Sequence, residues 1–257
     1  MSIDIVSPTI SLRTTYYPAP FPNEWCLTET QAGGPGIELA KALRGMDIKS
    51  RVLGFLGGFS GYELKDLVHK EGINLRFIKT HQDSMREVHL KNSERPSSFL
   101  LNTQSPKHSA LKALEKLMAS STAKTMILRS EALSSFDTPF FSTALSAFPR
   151  DNLRLYIDFG HYQTLITQAL ASRPFFLMIT TKDFAQLNTS TEQLLIRYGI
   201  QHLIITDDKK AQYVGTTSQE TFLYGHRWEI LAEFLWAEKH HKPASMAISK
   251  IEERQKP

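Results

Sequence analysis

The chain has a single cysteine, Cys26, in 257 residues, so no disulfide can form within it. That fits a reducing compartment. Nine histidines are present, yet none falls into a spacing by which His and Cys side chains bracket a metal. No apolar run approaches the roughly 20 residues of a membrane span. The N-terminus has no basic stretch followed by an apolar one, so the expectation is a cytoplasmic protein without a membrane partner. Charge of one sign is also scarce: 30 basic residues against 26 acidic ones leave +4. The densest basic spots, Lys209-Lys210 and Lys239 to Lys242, are too short for a nucleic-acid stripe. Internal repeats and low-complexity tracts are missing as well. With 41% hydrophobic and 22% charged residues the composition is that of a globular protein, and the length suits a single domain over 1–257.

Short β-rich runs alternate with helical patterns along most of the chain. Ile3 to Val6 reads as a strand, and the prolines between Pro8 and Pro22 mark an edge or loop region. Ile37, Leu39, Ala40 and Leu43 lie at helical spacing, and Arg51 to Gly57 is an apolar strand. A helix with a Leu64, Leu67, Val68 stripe follows and ends at Gly72. Residues 74–104 depart from this alternation, with three strand-like runs in series: Asn74 to Thr80, Met85 to Lys91 and Ser97 to Asn102. Beyond them come helices over 108–120, 139–148 and 162–171 and strands over 125–128, 153–158, 174–179 and 202–206. A helical stretch through Tyr198 and a long helix over 219–239 complete the pattern. The fold expected is α/β: a doubly wound, mostly parallel sheet flanked by helices. A small β lid is expected over about 74–104, to which parts of 8–32 could add strands.

Three glycines stand immediately before a helix in Gln31-Ala-Gly-Gly-Pro-Gly-Ile-Glu-Leu-Ala40. Exposed backbone N–H groups at such a turn suit an anion or a closely approaching ligand, although plain turn chemistry uses the same residues. Together with Val52-Leu-Gly-Phe-Leu-Gly-Gly-Phe-Ser-Gly61 and Glu71-Gly-Ile-Asn74, the segment resembles the ribokinase-like carbohydrate kinases. The likeness is to the phosphofructokinase-B group, and within it to the branch of 1-phosphofructokinase and tagatose-6-phosphate kinase. There one expects A-G-G-K-G-x-N-V-A, then G-F-L-G-G-x-x-G, then E-E-G-I.

The resemblance implies ATP-dependent phosphorylation of a sugar or sugar-phosphate hydroxyl, with Mg2+ and ATP as cofactors and a β lid that can clasp a second subunit. In that chemistry a carboxylate takes the hydroxyl proton while a glycine-rich helix start stabilises the phosphoryl charge. Carried over position by position, it assigns Ser11, Gly33, Gly34, Gly36, Glu38 and Arg86 to the substrate. It assigns Thr206, Asp208, Ser218, Gln219 and Gly225 to the nucleotide, Asp183 to an indirect metal contact, and Glu220 to the base. Several of these depart from the family pattern. Ser11 stands for an aspartate, Pro35 for the lysine and Glu38 for the asparagine of the glycine turn. Met85 stands for the arginine of T-R-x-N-V-K-L, with Arg86 one residue away. Thr216 to Gly225 is set against D-T-x-G-A-G-D-x-F-x-x-G, so the anion-hole glycines are replaced.

Plainer readings stand beside these. Glu220 and Glu38 are each either a ligand group or an acid favoured by a helix N-terminus. Asp207-Asp208-Lys209-Lys210 suits a solvated turn, Asp158 a strand-end site or a turn, and Trp228 and Trp236 core packing. Two functions are compatible with the residues. One is a divergent sugar or sugar-phosphate kinase homologue with weak or lost catalysis. The alternative is a pseudokinase that binds a sugar, nucleotide or protein partner in a regulatory or scaffold role, with no cofactor.

Overall fold

A computed structural model describes residues 2–7, 10–18, 25–91, 97–101, 107–129, 143–146, 154–158, 166–207, 210–215 and 220–254. Nine strands form the main sheet: β1 (Ile3–Val6), β4 (Ser50–Gly57), β5 (Asn74–Thr80), β8 (Thr125–Arg129), β9 (Arg154–Asp158), β10 (Phe176–Thr180), β11 (His202–Asp207), β12 (Lys210–Gly215) and β13 (Glu220–Tyr224). Their order is β13-β12-β11-β10-β9-β8-β1-β4-β5, with all neighbours parallel from β11 to β5. The second sheet, in the order β3-β2-β6-β7, comprises β2 (Ser11–Pro18), β3 (Trp25–Gly33), β6 (Met85–Leu90) and β7 (Ser97–Leu101). Helices α1 (Pro35–Gly45), α2 (Gly58–Lys70), α3 (His108–Ala119), α4 (Ile166–Ala171), α5 (Thr181–Gln186), α6 (Thr191–Tyr198), α7 (Arg227–Lys239) and α8 (Ala244–Glu253) flank the main sheet. The expected doubly wound α/β architecture is therefore present.

The central strands are mostly apolar because helices cover both faces of the sheet. Alternate residues feed two separate cores. Ile5, Ile127, Tyr156, Met178 and Ile204 pack with α1, α7 and α8, whereas Val6, Leu128, Ile157, Leu177 and Leu203 pack with α3 and α6. The one acid buried in β1, Asp4, accepts both Arg51 Nε at 2.9 Å and Arg51 Nη2 at 2.7 Å from the adjacent strand. This satisfies a charge that would otherwise be costly to bury.

Three expectations are corrected. Asn74–Thr80 pairs in parallel with β4 as the edge of the main sheet and is not part of the second sheet. The helical stretch through Tyr198 is two helices, α5 and α6, the second capped by Ser190, whose hydroxyl accepts from Gln193 N at 3.2 Å. The helix expected over 219–239 starts only at Arg227, because Glu220–Tyr224 hydrogen-bonds to β12 as an antiparallel strand. The helix expected over 139–148 is described only at 143–146, where it is helical.

Candidate functional site

The parallel strands end together at one edge of the main sheet, where the second sheet and the start of α1 meet them. Gly34 makes the turn into α1 with φ 103, a conformation that glycine adopts without strain, and Pro35 opens the helix. Gly36 brings α1 against the end of β1, where a Cβ would lie 2.6 Å from Ser7 Cβ. Gly36→Ala is therefore expected to destabilise the protein by about 1–3 kcal/mol, as overpacking does. Chemical unfolding of the variant checks this, and an unchanged midpoint would contradict the packing described. The second glycine turn serves the chain rather than a ligand. A Cβ on Gly57 would meet Gln82 O at 2.1 Å, and Gly58, at φ 62, lies against Asp83. Ser84 N donates to Gly57 O at 2.9 Å, and Gly57 N donates to Ser84 Oγ at 3.0 Å. These contacts hold the start of β6 and so aim its side chains.

β6 runs parallel to β2 with Ser11 opposite Met85 and Arg13 opposite Glu87. That register assembles four polar groups. Ser11 Oγ donates to Glu87 Oε1. Arg13 Nε donates to Glu87 Oε2 at 2.8 Å, and its Nη1 donates to Glu38 Oε1 at 2.8 Å. Gly33 leaves room for them: a Cβ there would be 3.0 Å from Ser11 Oγ and 3.3 Å from Arg13 Cζ. Burial pushes the Glu87 carboxyl up, but the Ser11 hydroxyl, the Arg13 guanidinium and His89 outweigh it and hold the group below its ordinary range. One guanidinium against two carboxylates leaves the cluster with one negative charge in excess while His89 is neutral.

The structure brings Ser11, Gly33, Gly34, Gly36 and Glu38 together as the sequence suggests, and adds Arg13 and Glu87. Neither addition was singled out from sequence, although the two-residue period of a strand already sets Arg13 on the face of Ser11. Arg86 is a correction. The same period turns it away from Glu87, and its Nε donates to Ser60 Oγ at 2.9 Å. Position 85, which does share the face of Glu87, holds the buried Met85. Glu71 of the third motif ties elements together, with Lys41 Nζ 3.1 Å from its Oε2.

At the other half of the edge, Thr180 caps α5 and donates from Oγ1 to Asp183 Oδ2 at 2.6 Å. Asp183 is buried and its Oδ1 has no hydrogen-bond partner. Thr206 Oγ1 donates to Lys210 O at 3.2 Å, closing the β11–β12 hairpin. Asp208, Ser218 and Gln219 lie outside the described residues. Glu220 is corrected: it opens β13, paired with Val214, and is not at a helix start. β13 runs in the direction of the parallel set, so it ends at the carboxyl edge, and Gly225, at φ 137, turns the chain into α7. Trp228, Glu229 and the fully buried Glu233 lie in the helix that begins there. Trp228 stacks on His226 with ring centroids 5.8 Å apart, and Glu229 Oε2 accepts from His226 N at 2.9 Å. The signal that could have shown this is Thr221, Phe222 and Tyr224, β-formers bounded by Gly225.

No known family profile matches the chain. It is 25% identical over 187 residues to the 1-phosphofructokinase of Bacillus subtilis and 23% identical over 186 residues to that of Borreliella burgdorferi. Each match covers 68% of this chain and 60% of the relative's length. A phosphofructokinase structure from Staphylococcus aureus, itself of putative assignment, superposes with a TM-score of 0.75 at 19% identity, over 96% of this chain and 88% of the other. Phosphofructokinase-2 of Escherichia coli with fructose-6-phosphate gives 0.73 at 14% identity, over 96% and 89%. The chain is ribokinase-like and similar to the phosphofructokinase-B group. In this ribokinase-like chain the Ser11–Arg13–Glu38–Glu87 cluster and the start of α7 face the same sheet edge, since α7 lies alongside α1 and both begin there. At their far ends Lys239 Nζ reaches Asp47 O at 2.5 Å.

Proposed function

We propose that this chain is a divergent carbohydrate-kinase homologue that binds a sugar-like polyol at the Ser11–Arg13–Glu38–Glu87 cluster, with phosphoryl transfer weak or lost. The observation that carries the reading is the start of α7. Glu220, to which the resemblance gives the base, lies in a strand and not at a helix N-terminus, and at the start of α7 a carboxylate, Glu229, already accepts the local N–H. A negative charge in the first turn of that helix opposes the binding of phosphoryl charge there. Mg2+ fits these residues poorly. Asp183 offers one free oxygen, but among the described residues no group of three or more His, Cys, Asp or Glu side chains gathers to hold a metal.

The cluster suits hydroxyl groups, for which carboxylates and a guanidinium are matched acceptors and donors. Its excess negative charge and the missing cations at Pro35 and Met85 disfavour a sugar phosphate. The reading includes a cytoplasmic setting and self-association through the second sheet, which leaves Phe99 and Leu101 about half exposed on β7. It excludes nucleic-acid and membrane partners.

Thermal-shift titration with hexoses, hexose phosphates and Mg-ATP, run beside a coupled ADP-release assay, tests this. A ligand specific for the native state raises the melting temperature with its concentration. The expected result is stabilisation by an unphosphorylated hexose with no ADP release above background. Steady ADP release dependent on a sugar would overturn the reading, and Glu220→Gln would then show whether that residue is the base. Sedimentation at two concentrations checks the self-association.

A further inference from the structure

The opposite, amino-terminal edge of the main sheet carries a cavity of about 200 Å³ between β9, β10, β11 and the end of α7. Tyr156, Phe175, His202 and Phe234 line its aromatic part. Their rings pack edge-on or tilted: Phe175 to His202 at 5.2 Å, His202 to Phe234 at 5.5 Å and Tyr156 to Phe175 at 5.6 Å. The cavity is open to solvent on one side, and a space of about 150 Å³ is enough to hold a single benzene ring.

The polar groups on the wall are already committed. Arg154 Nη1 and the Tyr156 hydroxyl donate to the two oxygens of Glu238. The Arg154 guanidinium also sits 4.8 Å above the Phe175 ring. His202 Nδ1 is 3.0 Å from Tyr213 Oη. Burial, and then the Arg154 charge, lower the His202 pKa to about 4, so the imidazole is neutral near neutral pH. Burial and the Glu238 charge keep the Tyr156 phenol protonated. The Glu238 carboxylate is thus already paired with a cation.

The mouth is different. Lys242, exposed in the turn after α7, lines the cavity and has no acidic partner among the described residues. Arg154 and Glu238 cancel, so the ammonium sets the charge that an entering molecule meets.

We infer that this cavity is a second binding site, remote from the carboxyl-edge cluster, for a single-ring aromatic carboxylate, with the ring against Phe175 and Phe234 and the carboxylate at Lys242. It stands independently of the sugar reading.

Benzoate is the probe, with benzamide and benzylamine as its neutral and cationic counterparts, titrated into the full chain and followed by amide NMR. Benzoate is expected to saturate at millimolar concentration and to shift the amides of Phe175, His202, Ala237 and Lys242. Benzamide should bind more weakly and benzylamine weakest. Lys242→Glu, an exposed change, should weaken benzoate about tenfold and leave benzamide within about twofold. Ala244→Trp, which fills the cavity, should abolish both. Failure of benzoate to bind, equal affinity for the three probes, or shifts confined to the carboxyl edge would overturn the inference.

Discussion

Arg13→Met is expected to reverse the sign of the pH dependence that Glu87 contributes to stability. In the parent chain the Glu87 carboxyl is held below its ordinary range, so it stabilises the fold above the unfolded carboxylate value, near 4.5. That contribution is lost as pH falls through the lower folded value. Burial is the largest single influence on this group and opposes its ionisation; the Ser11 hydroxyl and the guanidinium overcome it. Without the guanidinium, burial prevails and the folded value rises above the unfolded one. The variant should then gain stability as pH is lowered from 7 towards 4. At pH 7 its loss should be about 2–4 kcal/mol, slightly under the usual figure for breaking a buried pair because Arg13 is 24% exposed. Urea unfolding between pH 3.5 and 7, in steps of about half a unit, reads both quantities. The double variant Arg13→Met, Glu87→Gln should recover much of the loss, since removing both partners strands neither charge. A variant that keeps the parent's slope would show that the guanidinium does not govern Glu87.

The second large effect is a change of ligand. Glu38→Asn with Glu87→Asn leaves Arg13 uncompensated and turns the excess charge of the cluster from one negative to one positive. This prediction rests on the proposed polyol site. Each removed carboxylate, a few ångströms from a bound phosphate in a partly buried setting, is worth about 1–1.5 kcal/mol after screening. The affinity for fructose 6-phosphate should therefore rise about 100-fold, and the gain should shrink as salt is added. Calorimetric titration at two ionic strengths measures it, with circular dichroism to confirm that the variant is folded. A folded variant with no gain would mean that the phosphate does not approach this cluster.

Much of the architecture is legible along the chain, because β1, β4, β10 and β11 are apolar runs flanked by helical periodicity. Such runs are what strands covered on both faces require. The glycine turns before α1 and α2 are legible too, since positive φ at Gly34 and Gly58 leaves few alternatives to glycine. The candidate cluster is legible only in part. Ser11, Gly33 and Glu38 follow from motif order, but Arg13 and Glu87 are 74 residues apart and meet only through strand register. Arg86 shows how sensitive that is, since a shift of one residue places a side chain on the other face. Glu220 to Tyr224 carries residues that suit a strand and adjoins a true helix, so a local pattern extends the helix across it.

Local sequence determined which segments are strands or helices wherever the apolar period is strong, because that period depends only on neighbouring residues and the face they bury. Tertiary structure alone decided that Glu220 joins a hairpin, that Trp228 stands at the start of α7, and that one arginine bridges two glutamates. Each depends on pairing between distant segments, whose energy is realised only when the sheets assemble.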